Sequence, residues 1–139
     1  MAYKFERLEV WQLALEYTDL IYPIAEQLPR SEEYNLKRQI IRAATSIGLN
    51  IAEGSTSQSD AEQARFLGLA IRSLVETVAC QHMINRRHYL KDPEPLRNAY
   101  RFSGKLFAKL QAFRTTLKNK NLNIREEPDE YDFDPNIPF

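Results

Sequence analysis

Imidazole and thiol chemistry in this 139-residue chain rests on two histidines and one cysteine. His82 and His88 stand six residues apart, about 240° round a helix of 3.6 residues per turn, so one metal ion on one helix face cannot take both. The carboxylate-bridged metal sites of helix bundles need Glu-x-x-His on two helices, and neither histidine here has a glutamate three residues before it. Cys80 falls on an apolar helical stripe, which predicts an inert core thiol. A lone cysteine also rules out an internal disulfide or a cysteine-rich zinc module. Four glycines, widely scattered, spell neither G-x-G-x-x-G nor a Walker-type phosphate loop. These residues predict no enzyme, no metal and no cofactor.

Phosphate recognition has better material. Arg97, Arg101, Lys105 and Lys109 are each four residues apart, so on a helix they form one ridge, opposite the apolar stripe that includes Leu96, Leu106 and Leu110. The stretch 97–120 holds these four with Arg114, Lys118 and Lys120 and contains no acid. Such a ridge meets a phosphate backbone as a line of charges; the alternative is a face kept basic only to stay solvated. Arg86, Arg87, His88 and Lys91 cluster where a third helix should end, suited either to phosphate or to the negative end of the helix dipole. Lys37, Arg38 and Arg42 form a shorter group, with Arg42 expected to bridge to Glu53 or Glu76. Trp11 and Tyr17 could stack on bases, although aromatic residues on an amphipathic helix more commonly belong to the core.

Four amphipathic helices must position these side chains. Val10, Ala14, Tyr17, Ile21, Ile24 and Leu28 alternate in steps of four and three, the spacing of a buried helical face. Pro29 should stop that helix, and Pro23 should kink it or fray its last turn. A second helix is expected from Ser31, capped by its hydroxyl and favoured by Glu32 and Glu33, with Gly54 as a left-handed stop. Ser59 or Asp60 caps a third helix running from about Ala61 to His88. Asp92-Pro93-Glu94 opens a fourth, with proline in the first turn where its missing N–H costs nothing. The fold class that follows is all-α: an antiparallel up-down four-helix bundle over residues 1–124, with an extended acidic tail over 125–139.

Charge separates these two parts. The chain carries no net charge, but residues 125–139 set six acids against Arg125, a net of −5, which leaves +5 on residues 1–124. The split predicts a tail able to fold over the basic surface and compete with a polyanion. No run approaches the 18 apolar residues of a membrane span, and MAYKFERLEV is too charged for a secretory signal. A cytoplasmic protein is expected.

The segments FERLEVWQLALEY (5–17), IIRAATSIGLNIAEG (40–54) and RFLGLAIRSLVET (65–77) resemble the four-helix-bundle proteins encoded in intervening sequences of bacterial 23S rRNA genes. Some of those proteins carry a ribosomal-protein name, and the accessory variability determinant of diversity-generating retroelements is similar. The resemblance covers about residues 5–117 and is strongest over the run containing Arg42, Ser46, Asn50, Glu53 and Gly54. Asn50 is read either as a buried residue that fixes helix register or as a cap for the following turn. Two departures stand out: many members have proline where Gly48 stands, and a Gly-Ser pair where Arg72-Ser73 stands. The first predicts a straighter second helix, and the second adds a charge to a close-packed stretch.

The resemblance implies a homopentamer without catalytic activity and with a basic surface suited to nucleic acid; in the retroelement relatives the partner is a reverse transcriptase with RNA or DNA. The expectation is therefore a non-enzymatic, oligomeric module that binds RNA or DNA largely without regard to sequence. The alternative is a scaffold that docks a protein such as a reverse transcriptase.

Overall fold

The computed structural model describes residues 3–122 and 136–139. Four helices account for nearly all of them: α1 Glu9–Glu26, α2 Leu36–Gly54, α3 Asp60–Arg86 and α4 Glu94–Leu122. No strand occurs among the described residues. Each helix packs on the next in the chain and α4 closes the ring against α1, while among the described residues α1 and α3 make no direct backbone approach, nor do α2 and α4. Short connections at 27–35, 55–59 and 87–93 force neighbours to run antiparallel. Of the acidic tail expected to be extended over 125–139, residues 125–135 lie outside the described residues, and 136–139 are in neither helix nor strand.

The predicted stripes are the core. Tyr17, Ile21 and Ile24 from α1, Ile40, Ile47 and Ile51 from α2, Leu67, Leu74 and Ile84 from α3, and Leu96, Leu106 and Leu110 from α4 are fully buried. Burial of this size stabilises by roughly 1.5–3 kcal/mol for each large aliphatic side chain before chain entropy is set against it. α1 runs through Pro23 and ends at Glu26. Its last turn tightens, Gln27 N–H donating to Ile24 O and Leu28 N–H to Ala25 O, both at 3.2 Å.

Two expected helix ends are built differently. α2 begins at Leu36, and Ser31 instead lies in a 3-10 turn, Arg30–Glu32. Pro29 sets that turn, its carbonyl accepting the Glu32 N–H at 2.8 Å, and Glu32 is drawn inward rather than left at a helix N-terminus. Gly54 is the last residue of α2 but has no positive φ. A Cβ built there would lie 2.7 Å from Phe66 Cβ, so glycine is required for the close approach of α2 and α3. The turn itself is made by hydroxyls: Ser55 Oγ donates to Ala52 O at 2.6 Å and Thr56 Oγ1 to Glu53 O at 2.8 Å.

Ser59 caps α3 by accepting the Glu62 N–H at 3.1 Å, as its sequence position predicts. At the other end His88 adopts φ 54°. His88 N–H donates to Asn85 O at 3.0 Å and Tyr89 N–H to Ile84 O at 3.4 Å, the paired bonds of a Schellman stop. α4 opens with Asp92 Oδ1 accepting the Glu94 N–H at 3.0 Å. No helix among the described residues is long and apolar enough to cross a membrane.

Candidate functional site

The antiparallel ring fixes which basic groups meet. α2 and α4 start, and α3 ends, at the same end of the bundle. Lys37 and Arg38, Arg86, Arg87 and Lys91, and Arg97 and Arg101 therefore collect there from three helices and the 87–93 connection. The two loops at this end are joined directly: Tyr89 OH donates to Glu32 Oε2 and Asn35 Nδ2 to Glu32 Oε1, both at 2.9 Å. These two bonds, helped by the Arg87 charge, hold the Glu32 carboxyl below the usual carboxylate range, and the bond to Glu32 raises the Tyr89 phenol. In the sequence the basic groups stand apart, because only the tertiary arrangement brings the two loops together.

From that end the ridge continues down α4. Arg101, Lys105 and Lys109 are exposed and Arg97 is half-buried. Arg97 Nη1 lies 3.2 Å from Glu94 Oε2, Arg101 Nη1 lies 3.6 Å from Glu94 Oε1, and Lys109 Nζ lies 3.4 Å from Glu9 Oε1 of α1. Lys105 has no acid partner among the described residues; its ammonium sits 5.8 Å above the Phe102 ring. Lys37 pairs with Glu33 at 3.1 Å. Arg38, Arg86 and Lys91 make no ion pair among the described residues. The pairs that do form are solvent-exposed and are each worth about 0–1 kcal/mol, little enough for a polyanion to displace them.

The family-like run is mainly a packing element. Asn50 Nδ2 donates to Ser46 O at 2.9 Å and Ser46 Oγ at 3.0 Å, and Ser73 Oγ of α3 donates to Ser46 Oγ at 2.9 Å. Asn50 thus belongs to a polar clasp between α2 and α3 and caps no following turn. Arg42 is exposed and makes no ion pair among the described residues; Glu53, eleven residues along the same helix, is about 16 Å away along the axis. The expected bridge to Glu53 or Glu76 does not form. Two adjoining surface concavities flank Arg42, one of about 640 Å³ lined by Glu33, Tyr34, Lys37, Arg38 and Ile41, the other of about 400 Å³ lined by Thr45, Ser46, Leu49, Asn50 and Glu53. Arg72 points outward and adds no charge to the core.

Trp11 and Tyr17 are not base-stacking residues. Trp11 is half-buried, edge-on to Phe5 at 4.7 Å, and its ring covers Gly48, where a Cβ would meet it at 3.1 Å. Tyr17 is fully buried. Gln81 Nε2 donates to Tyr17 OH at 2.7 Å, Tyr17 OH donates to Thr77 Oγ1 at 2.7 Å, and Thr77 Oγ1 donates to Leu74 O at 2.6 Å. Burial pushes the Tyr17 phenol far above its ordinary range. Burial, and then the Glu76 charge, pushes the Cys80 thiol up to about 11, which keeps it an unreactive thiol at neutral pH. No group of three or more His, Cys, Asp or Glu side chains able to hold a metal occurs among the described residues.

Helical bundle, clasped family run and basic end together define a class of small all-α proteins. Residues 6–109 match the family model of the 23S rRNA-intervening sequence protein, and the chain belongs to that family. It is also similar to a crystal structure from Bacteroides thetaiotaomicron, a protein of unknown function from the S23 ribosomal protein family. The two share 26% identity over 76% of this chain and 97% of that one, with a TM-score of 0.69. No curated protein matches the chain.

Proposed function

We propose that this protein is a non-enzymatic, self-assembling module of the bacterial cytoplasm that binds RNA or DNA through its basic end and the α4 ridge. The observation that carries the reading is the convergence of cations from α2, α3 and α4 at one end, continued by Arg101, Lys105 and Lys109 along an exposed helix. Binding through such a surface is mostly sequence-independent and steeply salt-dependent. Assembly into the homopentamer that the family resemblance implies multiplies a modest patch into a large local field. The outward face of α2 and the turn before it, with Tyr34, Ile41 and the 55% exposed Leu49 beside the two concavities, supplies apolar surface for packing between copies.

The same face supports a second reading, a scaffold that docks a protein such as a reverse transcriptase. Fluorescence anisotropy with RNA and DNA across a salt series, on protein whose mass is fixed by light scattering, separates the two. Replacing Arg97, Arg101, Lys105 and Lys109 with alanine should flatten the slope of log K against log salt by about 0.7–0.9 for each phosphate no longer neutralised. A well-formed oligomer that binds neither nucleic acid at low salt moves the assignment to the scaffold.

A further inference from the structure

One aromatic residue far from the helices in sequence packs against them. Phe139 lies in a slot between α3 and α4, its ring edge-on to His82 at 5.0 Å and to Tyr100 at 5.5 Å. His82 and Tyr100 are themselves edge-on at 6.3 Å, which completes a three-ring cluster. Edge-to-face geometry at these separations is the favoured aromatic arrangement, worth about 0.5–1.5 kcal/mol per pair beyond burial. Arg97 Nε donates to the backbone oxygen of Phe139 at 3.0 Å, and Ile137 beside it is half-buried. The slot therefore supplies ring edges, a guanidinium donor and partial burial from residues of two helices.

Docking within one chain is sterically possible. Tyr100 stands twenty-two residues before Leu122 on α4, about 33 Å along the axis. The sixteen residues between Leu122 and Phe139 reach up to about 55 Å when extended. The docked ring also has an electrostatic consequence at the ridge. Arg97 engages Phe139 and Glu94 at once, and its side chain is 36% exposed against 54% for Arg101 one turn away. A phosphate must displace the Phe139 contact before it can take the Arg97 Nε–H.

We propose that the slot formed by His82, Arg97 and Tyr100 is a docking site for the chain's own Ile137-Pro138-Phe139 segment, and that its occupancy withdraws Arg97 from the α4 ridge and weakens polyanion binding. The second half rests on the nucleic-acid reading above; the first does not. The test uses the full chain with Phe139→Ala, and with Phe139→Tyr as the variant that keeps an aromatic ring in the slot. One readout is the His82 imidazole proton and carbon chemical shifts, which report the neighbouring rings. The other is affinity for a labelled single-stranded RNA across a salt series.

Phe139→Ala should move the His82 signals, tighten RNA binding by roughly three- to tenfold and steepen the salt slope by the increment of about one phosphate. Phe139→Tyr should leave all three near wild type. Unmoved His82 signals in Phe139→Ala overturn the docking site. Moved signals with unchanged affinity and slope overturn the control of Arg97. If no RNA binds to wild type or variant, the nucleic-acid reading falls and the role of Arg97 falls with it, while the His82 shifts alone still decide the slot.

Discussion

Glu32 shows how one side chain changes role with its surroundings. Beside a helix N-terminus it would be a solvated carboxylate; here it accepts hydrogen bonds from Asn35 and Tyr89 and ties together two loops fifty-seven residues apart. Its folded pKa lies below the ordinary value, so the sign of its pH dependence follows. The stabilisation is fully present above the unfolded carboxylate pKa and is lost as pH falls through the lower, folded value. Urea midpoints measured from neutral pH downward should fall less steeply for Glu32→Gln than for wild type, because glutamine has no such proton to take up. Parallel acid limbs would remove Glu32 from the account of acid sensitivity. Tyr89→Phe, which deletes the main cross-loop donor, serves as the matched comparison.

Between helices, the sharpest constraint sits at Gly54. A methyl there would meet Phe66 Cβ at 2.7 Å, an atom fixed to the α3 backbone and unable to swing aside. Gly54→Ala should therefore destabilise by about 1–3 kcal/mol, the usual cost of overpacking, even though alanine is the better helix former. Thermal melts would show it, and a melt at or above wild type would mean that α2 and α3 separate freely. The apolar steps along all four helices were legible in the sequence, because a period of 3.6 needs no partner to be recognised. The ends of α2 were not. Ser31 looks like a cap only until Pro29 forms its own turn and Glu32 finds Tyr89, and Gly54 looks like a left-handed stop when its value is the missing Cβ. The ridge was legible as a row of four, Arg97 to Lys109. Its Glu9 and Glu94 partners and the engagement of Arg97 by Phe139 were not, since all depend on which helix or chain end lies alongside.

At the scale of the molecule, helix backbones among the described residues approach one another only between ring neighbours, so the diagonals are held by side chains. Tyr17 spans one of them, reaching from α1 to Thr77 and Gln81 of α3 through a directed chain of donors that ends on Leu74 O. Gln81 Oε1 is already buried without a hydrogen-bond partner among the described residues. Deleting the phenol would leave the Gln81 amide nitrogen unpaired as well, a loss of about 1–3 kcal/mol. Without such a brace, the first helix of a ring could lift away alone, parting from α2 and α4 while the other three stayed packed. With it, lifting α1 also breaks this run of hydrogen bonds, which adds about 1–3 kcal/mol to the cost of local opening. In native-state hydrogen exchange Tyr17→Phe should therefore speed the central amides of α1 relative to those of α3. The hydroxyl of one tyrosine thus adds to the cooperativity with which the first helix is held to the other three.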